Sequence, residues 1–327
     1  MKLPVFQTFS HAFGFAVTNF FTCLRLAWLP LTLLFAVQQF VQWQVFGQLD
    51  SLQVGMDKHH PLAIFRTMFD MWDRLAVIQV GMMLLQALVI AAIAVSFHRV
   101  ILFGDRRPGS ILNFAFGRTE FLYMLMAATM GLIAISILGV ILVPAVLVVT
   151  GGHIQDWFTQ LMNITDKTDD AQALAIVRQF SGIGLAYAIA LLLVLSVLIR
   201  LAVWPPSVVA TGHLSPSEPW ALTRGNVFRF IGLFILTVMV MWVFAAAIAA
   251  AVFAGGGFEA IKGLQGLDHQ NPMEMRRHMF ETMRPFLPVV YVLVLVVYVF
   301  CTSLVVGLIS YSYKALKGFD ATTPIPA

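Results

Sequence analysis

Two sets of side chains in this sequence have the types and spacing to do chemistry, and both lie at or beyond the ends of its long apolar stretches. The first is a group of arginines, Arg99, Arg106, Arg107, Arg118, Arg200, Arg224 and Arg229, gathered around short polar turns. Guanidinium groups in that setting suit the phosphates of anionic lipid headgroups. The plainer reading is topological, because Lys and Arg in short loops orient membrane helices. The two readings are compatible. The second set consists of His59, His60, His153, His269 and His278 with a methionine group, in which Met275, His278 and Met279 share one helical face and His269 precedes them. Such donors suit soft metals. No pair has a compact ligand spacing such as CxxC or HExxH, so the methionines are expected to pack against the membrane or a partner, with no metal or other cofactor bound.

Hydrolysis has less footing. There is no GxSxG elbow, no carboxylate pair and no Ser/His/Asp set within one apolar stretch. His98 and Arg99 close the second apolar run beside Ser96, where a histidine is expected to serve as an interfacial hydrogen-bonding group. Apart from Arg25, Arg200 and Arg229 close to their ends, the spans carry no Asp, Glu, Lys or Arg, which argues against a proton-coupled carrier. The expectation is a protein without enzymatic activity.

The elements that must position these groups are membrane helices. Hydrophobic residues make up 60% of the chain and charged residues 11%, with a mean hydropathy of +0.87. Soluble domains carry about 25% charged residues, so an all-α polytopic membrane protein is the reading. Six apolar runs reach the length of about 20 residues that crosses a bilayer as a helix: 24–44, 76–98, 121–149, 179–203, 227–254 and 286–313. The start, MKLPVFQTFSHAFGFAV, has no cleavage pattern and is expected to be retained. With both termini and the turns after spans two and four on one side, that side collects 11 of the 20 basic residues and 4 of the 16 acidic ones. The basic side is expected to be cytoplasmic.

The joints repeat. Residues 4–22 are expected to lie along the interface as an amphipathic helix, and Pro30 falls inside span one. Outer loops of some thirty residues carry amphipathic helices of their own, the first around Ile64, Met68, Met71 and Trp72. Pro205-Pro206 are expected to end span four. Ser215-Pro216-Ser217-Glu218 then read as a capped helix start, Gly225 as a break, and Asn226 as the cap of span five. Thr119 and Glu120 are expected to serve the start of span three, and Gly318 to stop span six before a mobile tail. Gly104, Gly212 and Gly318 follow the three inward spans at separations of 108 and 106 residues. That spacing suggests one membrane domain of three parallel hairpin repeats, 4–104, 108–212 and 215–318. The bland alternative is that any set of hairpins places glycine and basic residues in its inner turns.

The segment TRGNVFRFIGLFILTV, preceded by a short helix with Trp220-Ala221-Leu222, resembles YciC-like bacterial inner-membrane proteins. It is also similar to the membrane domain attached to some glycerophosphodiester phosphodiesterases. The likeness is best over 200–245 and fainter over 95–135. It implies a six-helix inner-membrane fold, and no catalysis, because the catalytic barrel of those phosphodiesterases is a separate domain. The function expected is interaction with anionic membrane lipids and with membrane-protein partners, without nucleic acid. The alternative is a transporter or channel for lipid-like or uncharged small substrates.

Overall fold

The computed structural model describes residues 2–53, 61–104, 116–151, 170–252 and 287–325. Arg106, Arg107, His269, Met275, His278, Met279 and most of the three outer loops lie outside the described residues. The described chain is all-α: α1 (Val5–Thr18), α2 (Phe20–Gln53), α3 (Pro61–Phe103), α4 (Arg118–Thr150), α5 (Asp170–Arg200), α6 (Trp204–Thr211), α7 (Ser217–Thr223), α8 (Val227–Val252) and α9 (Leu287–Lys317). Six stretches are long and apolar enough to span a membrane: Phe20–Val41, Ala76–Phe103, Arg118–Thr150, Ser181–Thr211, Val227–Ala251 and Tyr291–Lys317. Large apolar side chains such as Leu132, Val148, Leu192 and Trp242 stand exposed along them. In water that surface would drive aggregation; among acyl chains it is solvated. The chain is a multi-pass membrane protein.

Its core is built around α9, which packs on α1, α2, α3, α6, α7 and α8. Hydrophobic burial between helices is weak in lipid, so close packing and hydrogen bonds must hold the bundle. Helix α1 approaches α9 closely. A Cβ placed on Gly307 would lie 3.3 Å from the Ala12 Cβ and 3.4 Å from its Cα, and Ala12 and Ala16 are wholly buried. Phe13 meets Phe300 edge-on at 6.0 Å, and Phe15 meets Tyr311. The stretch read as an interfacial helix is therefore also a core element, docked through its small residues. Burial separates inner helices from outer ones. The most apolar stretch of α4 buries none of its residues, against 39% for α3 and α9, so α4 is the most lipid-exposed of the three. Tyr123 of α4 packs against each of the three core clusters and joins them.

Several expectations need correction. The helix expected around Ile64 to Trp72 is not separate, because α3 runs unbroken from Pro61 to Phe103. Pro205-Pro206 do not end the fourth span. They lie in the first turn of α6, where a missing N–H costs nothing, and α6 carries the span on to Thr211. His98 is fully buried, and its expected hydrogen bond is made inside the bundle, where its Nδ1 lies 2.6 Å from the Ser310 hydroxyl of α9. The helices also overrun the expected boundaries, which brings Lys314 inside α9 as a buried residue. Gly104, Gly212 and Gly318 do stop their helices, with φ of 66°, 67° and 79°.

Candidate functional site

The polar joint between α5 and α8 gathers more of the expected site residues than any other described place. At its start, α5 ends at Arg200 and leaves carbonyls free. The Thr223 hydroxyl of α7 lies 2.7 Å from the Arg200 carbonyl and 2.9 Å from that of Pro219, tying the two helix ends together. Between them α6 is sunk into the core, with Trp204 to Val209 all buried. Gly212, left-handed, turns the chain back towards α7 and donates its N–H to the Val208 carbonyl. Ser215 does not cap α7. The helix begins one step later with Pro216 at the cap position, and the Ser215 hydroxyl pairs with that of Ser217 at 2.9 Å.

Glu218 was expected to serve the start of α7, and instead it binds the joint to the core. Its carboxylate accepts from Ser207 of α6 at 3.1 Å, lies 3.5 Å from the Tyr313 hydroxyl, and pairs with Lys317 of α9. Lys317 and Glu218 keep a quarter to a third of their surface exposed, so water screens the pair and its worth is about 1 kcal/mol at most. Glu218→Ala is expected to lower stability by about that amount, read as a small drop in thermal unfolding temperature in detergent that shrinks further at high salt.

Against the outer side of α7 lies an open cleft of about 860 Å³. One wall is apolar, formed by Ile133 of α4 with Val197 and Leu201. Ile133 sits roughly 22 Å along α4 from its start, at about 1.5 Å per residue, inside the stretch long and apolar enough to span a membrane. The other wall is the start and body of α7, contributing Pro216, Ser217, Trp220 and Ala221, and Arg200 and Arg224 also line the cleft. The Arg200 guanidinium is placed over the Trp220 ring, 5.5 Å from its centroid, which fixes its plane without neutralising its charge. Arg224 is exposed.

The remaining arginines go elsewhere. Arg99 donates to the Thr119 hydroxyl at 3.2 Å, so Thr119 joins α3 to α4, and the cap position of α4 is Gly117, whose N–H donates to the Glu120 carboxylate at 2.9 Å. Arg118 is exposed and does not line the cleft. Arg229 is turned to the N-terminal segment, where its guanidinium donates to the Leu3 carbonyl at 3.1 Å. The neighbouring Asn226 side chain, buried, accepts from the Leu3 N–H at 2.9 Å. The backbone N–H and carbonyl of Leu3, which belong to successive peptide groups, are thus both held by the NVFR tetrapeptide that opens α8.

No family model, curated protein or solved structure matches this chain. Function must therefore be argued from the site. Among the described residues no group of three or more His, Cys, Asp or Glu is placed to hold a metal ion. The cleft pairs a cationic rim with an apolar wall, which is the chemistry of an amphiphile site. Its participants were visible in the sequence as charges. That Arg200 and Arg224 belong together, and that Arg99 and Arg229 do not join them, follows only from the folding of α6 and α7.

Proposed function

We propose that this protein is a non-enzymatic bacterial inner-membrane protein, with both termini cytoplasmic, that binds an anionic phospholipid in the cleft between α4, α5 and α7. The observation that carries the reading is the joining of Arg200 and Arg224 to an apolar wall formed by Ile133, Val197 and Leu201. The phosphate would meet the two guanidinium groups, and an acyl chain would lie along Ile133 and Val197. The excess of basic residues at this end supports its placement in the cytoplasm. The resemblance to YciC-like proteins falls on the same joint, and its Asn226 and Arg229 have the structural task of gripping Leu3. A membrane-protein partner is part of the proposal only through the lipid-facing surface of α4.

The test is mass spectrometry of phospholipid retained through purification in mild detergent. Two cationic groups near a membrane surface contribute about 1 kcal/mol each, so Arg200→Gln with Arg224→Gln should weaken anionic-lipid retention roughly thirtyfold. Arg118→Gln, outside the cleft, should leave it unchanged. Equal lipid content in all three proteins would overturn the assignment.

A further inference from the structure

Beyond the end of α9 the chain does not trail away as the Pro/Thr-rich composition suggested. Gly318, at φ 79°, reverses the helix: its N–H meets the Ala315 carbonyl and the Phe319 N–H meets that of Lys314, the paired bonds of a Schellman stop. The segment that follows returns along the bundle to the end of α3. There the Ile325 N–H donates to the Leu102 carbonyl at 2.7 Å, and a Cβ on Gly104 would come within 3.4 Å of Pro324. Between these two ends the segment is held by Lys314. Its ammonium donates to the Ala321 carbonyl at 2.8 Å and to the Thr323 carbonyl at 2.7 Å, and the residue is 1% exposed.

We infer that residues 319–325 form a latch over the end of the α1, α3 and α9 cluster, with Lys314 as its catch. Three observations argue for a movable closure over fixed packing. First, Thr322, Thr323 and Pro324 are exposed, so the segment is held by a few hydrogen bonds and by Ile325, half-buried against the core. Second, those contacts are mutual. A buried ammonium needs acceptors, and when the two carbonyls leave, Lys314 keeps only the Tyr311 ring, 5.9 Å away, until its flexible stem reaches water. Third, there is something to cover. A half-open pocket of about 300 Å³ lies beside the segment, lined by His11 and Asn19, Ile101 of α3 and Tyr311 of α9, with Ala321 and Thr322 forming part of its wall. Elements held by few contacts open before the rest of a fold does, and this one carries part of the pocket wall with it.

The experiment uses the full chain with Cys23→Ala and Cys301→Ala. A spin label at Thr323→Cys reports motion of the latch, and the rate at which Ile101→Cys reacts with a hydrophilic maleimide reports opening. Lys314→Met keeps the stem and removes both hydrogen bonds. It should sharpen the spectrum at position 323 and speed labelling at position 101 roughly tenfold or more, the scale set by losing bonds to a charged donor. Ile325→Pro removes the donor to Leu102 together with the aliphatic side chain that packs on the core. It should shift both readouts the same way by a smaller factor, and it decides the matter if Lys314→Met does not yield folded protein. Spectra and labelling rates equal to those of the parent in Ile325→Pro, or in a folded Lys314→Met, would overturn the latch.

Discussion

Replacing Gly307 by leucine is expected to push α1 off α9 and to cost about 3 kcal/mol, at the upper end of what overpacking usually costs. A single added carbon at this position already meets the Ala12 Cβ at 3.3 Å and its Cα at 3.4 Å. The neighbour that would have to yield includes helix backbone, which cannot rotate away as a side-chain tip can. Leucine adds three more carbons to the same crossing. The control is Gly232 of α8, where a Cβ would meet nothing within 4 Å; Gly232→Leu should be tolerated. Thermal unfolding in detergent reads both. Equal stability of the two variants would show that the α1 crossing does not depend on the small residue.

Asn226→Ala should have the second-largest effect, a loss of about 1–3 kcal/mol, because it leaves the Leu3 N–H without its buried acceptor. The loss should be local before it is global. Hydrogen exchange at the Leu3 amide should accelerate, while amides in the centre of α9 keep their protection. Asn226→Asp retains an acceptor in the same place and should restore much of the protection at Leu3. Arg229→Gln, which removes only the donor to the Leu3 carbonyl, should have the milder outcome. An Asn226→Ala protein whose Leu3 amide exchanges as slowly as before would refute the grip.

How much of this was legible beforehand can be judged residue by residue. The six spans follow from apolar run length, which is the strongest signal a membrane chain carries. Gly104, Gly212 and Gly318 were readable as helix stops, since a left-handed residue at a helix end is most often glycine. Pro205-Pro206 misled, because proline is as compatible with the first turn of a helix as with its end, and only the turn at 201–203 distinguishes the two. Ser215 misled for a related reason: a hydroxyl one residue before a proline has another hydroxyl, that of Ser217, within reach. The pairing of His98 with Ser310 bridges 212 positions, and nothing local announces it. The latch was hidden by composition, since threonine, proline and alanine look mobile when their backbone groups have no visible partner. Here the partners are Lys314 and Leu102. For the cleft, the arginines were legible as a set of seven; the choice of two among them is tertiary.

The close crossing of α1 and α9 bears on how the molecule is made. These helices lie near opposite ends of the sequence, and α9 also contacts α2, α3 and α8, so the centre of the bundle is assembled around a segment synthesised after all of those. While the ribosome is still translating, Ala12 and Ala16 have no partner, and the faces of α2 and α3 destined for the interior are left to lipid or to the insertion machinery. Lateral release of the last span is then the committing step of biogenesis. A nascent chain arrested before residue 287 should be inserted yet unassembled, with its first helix open to degradation.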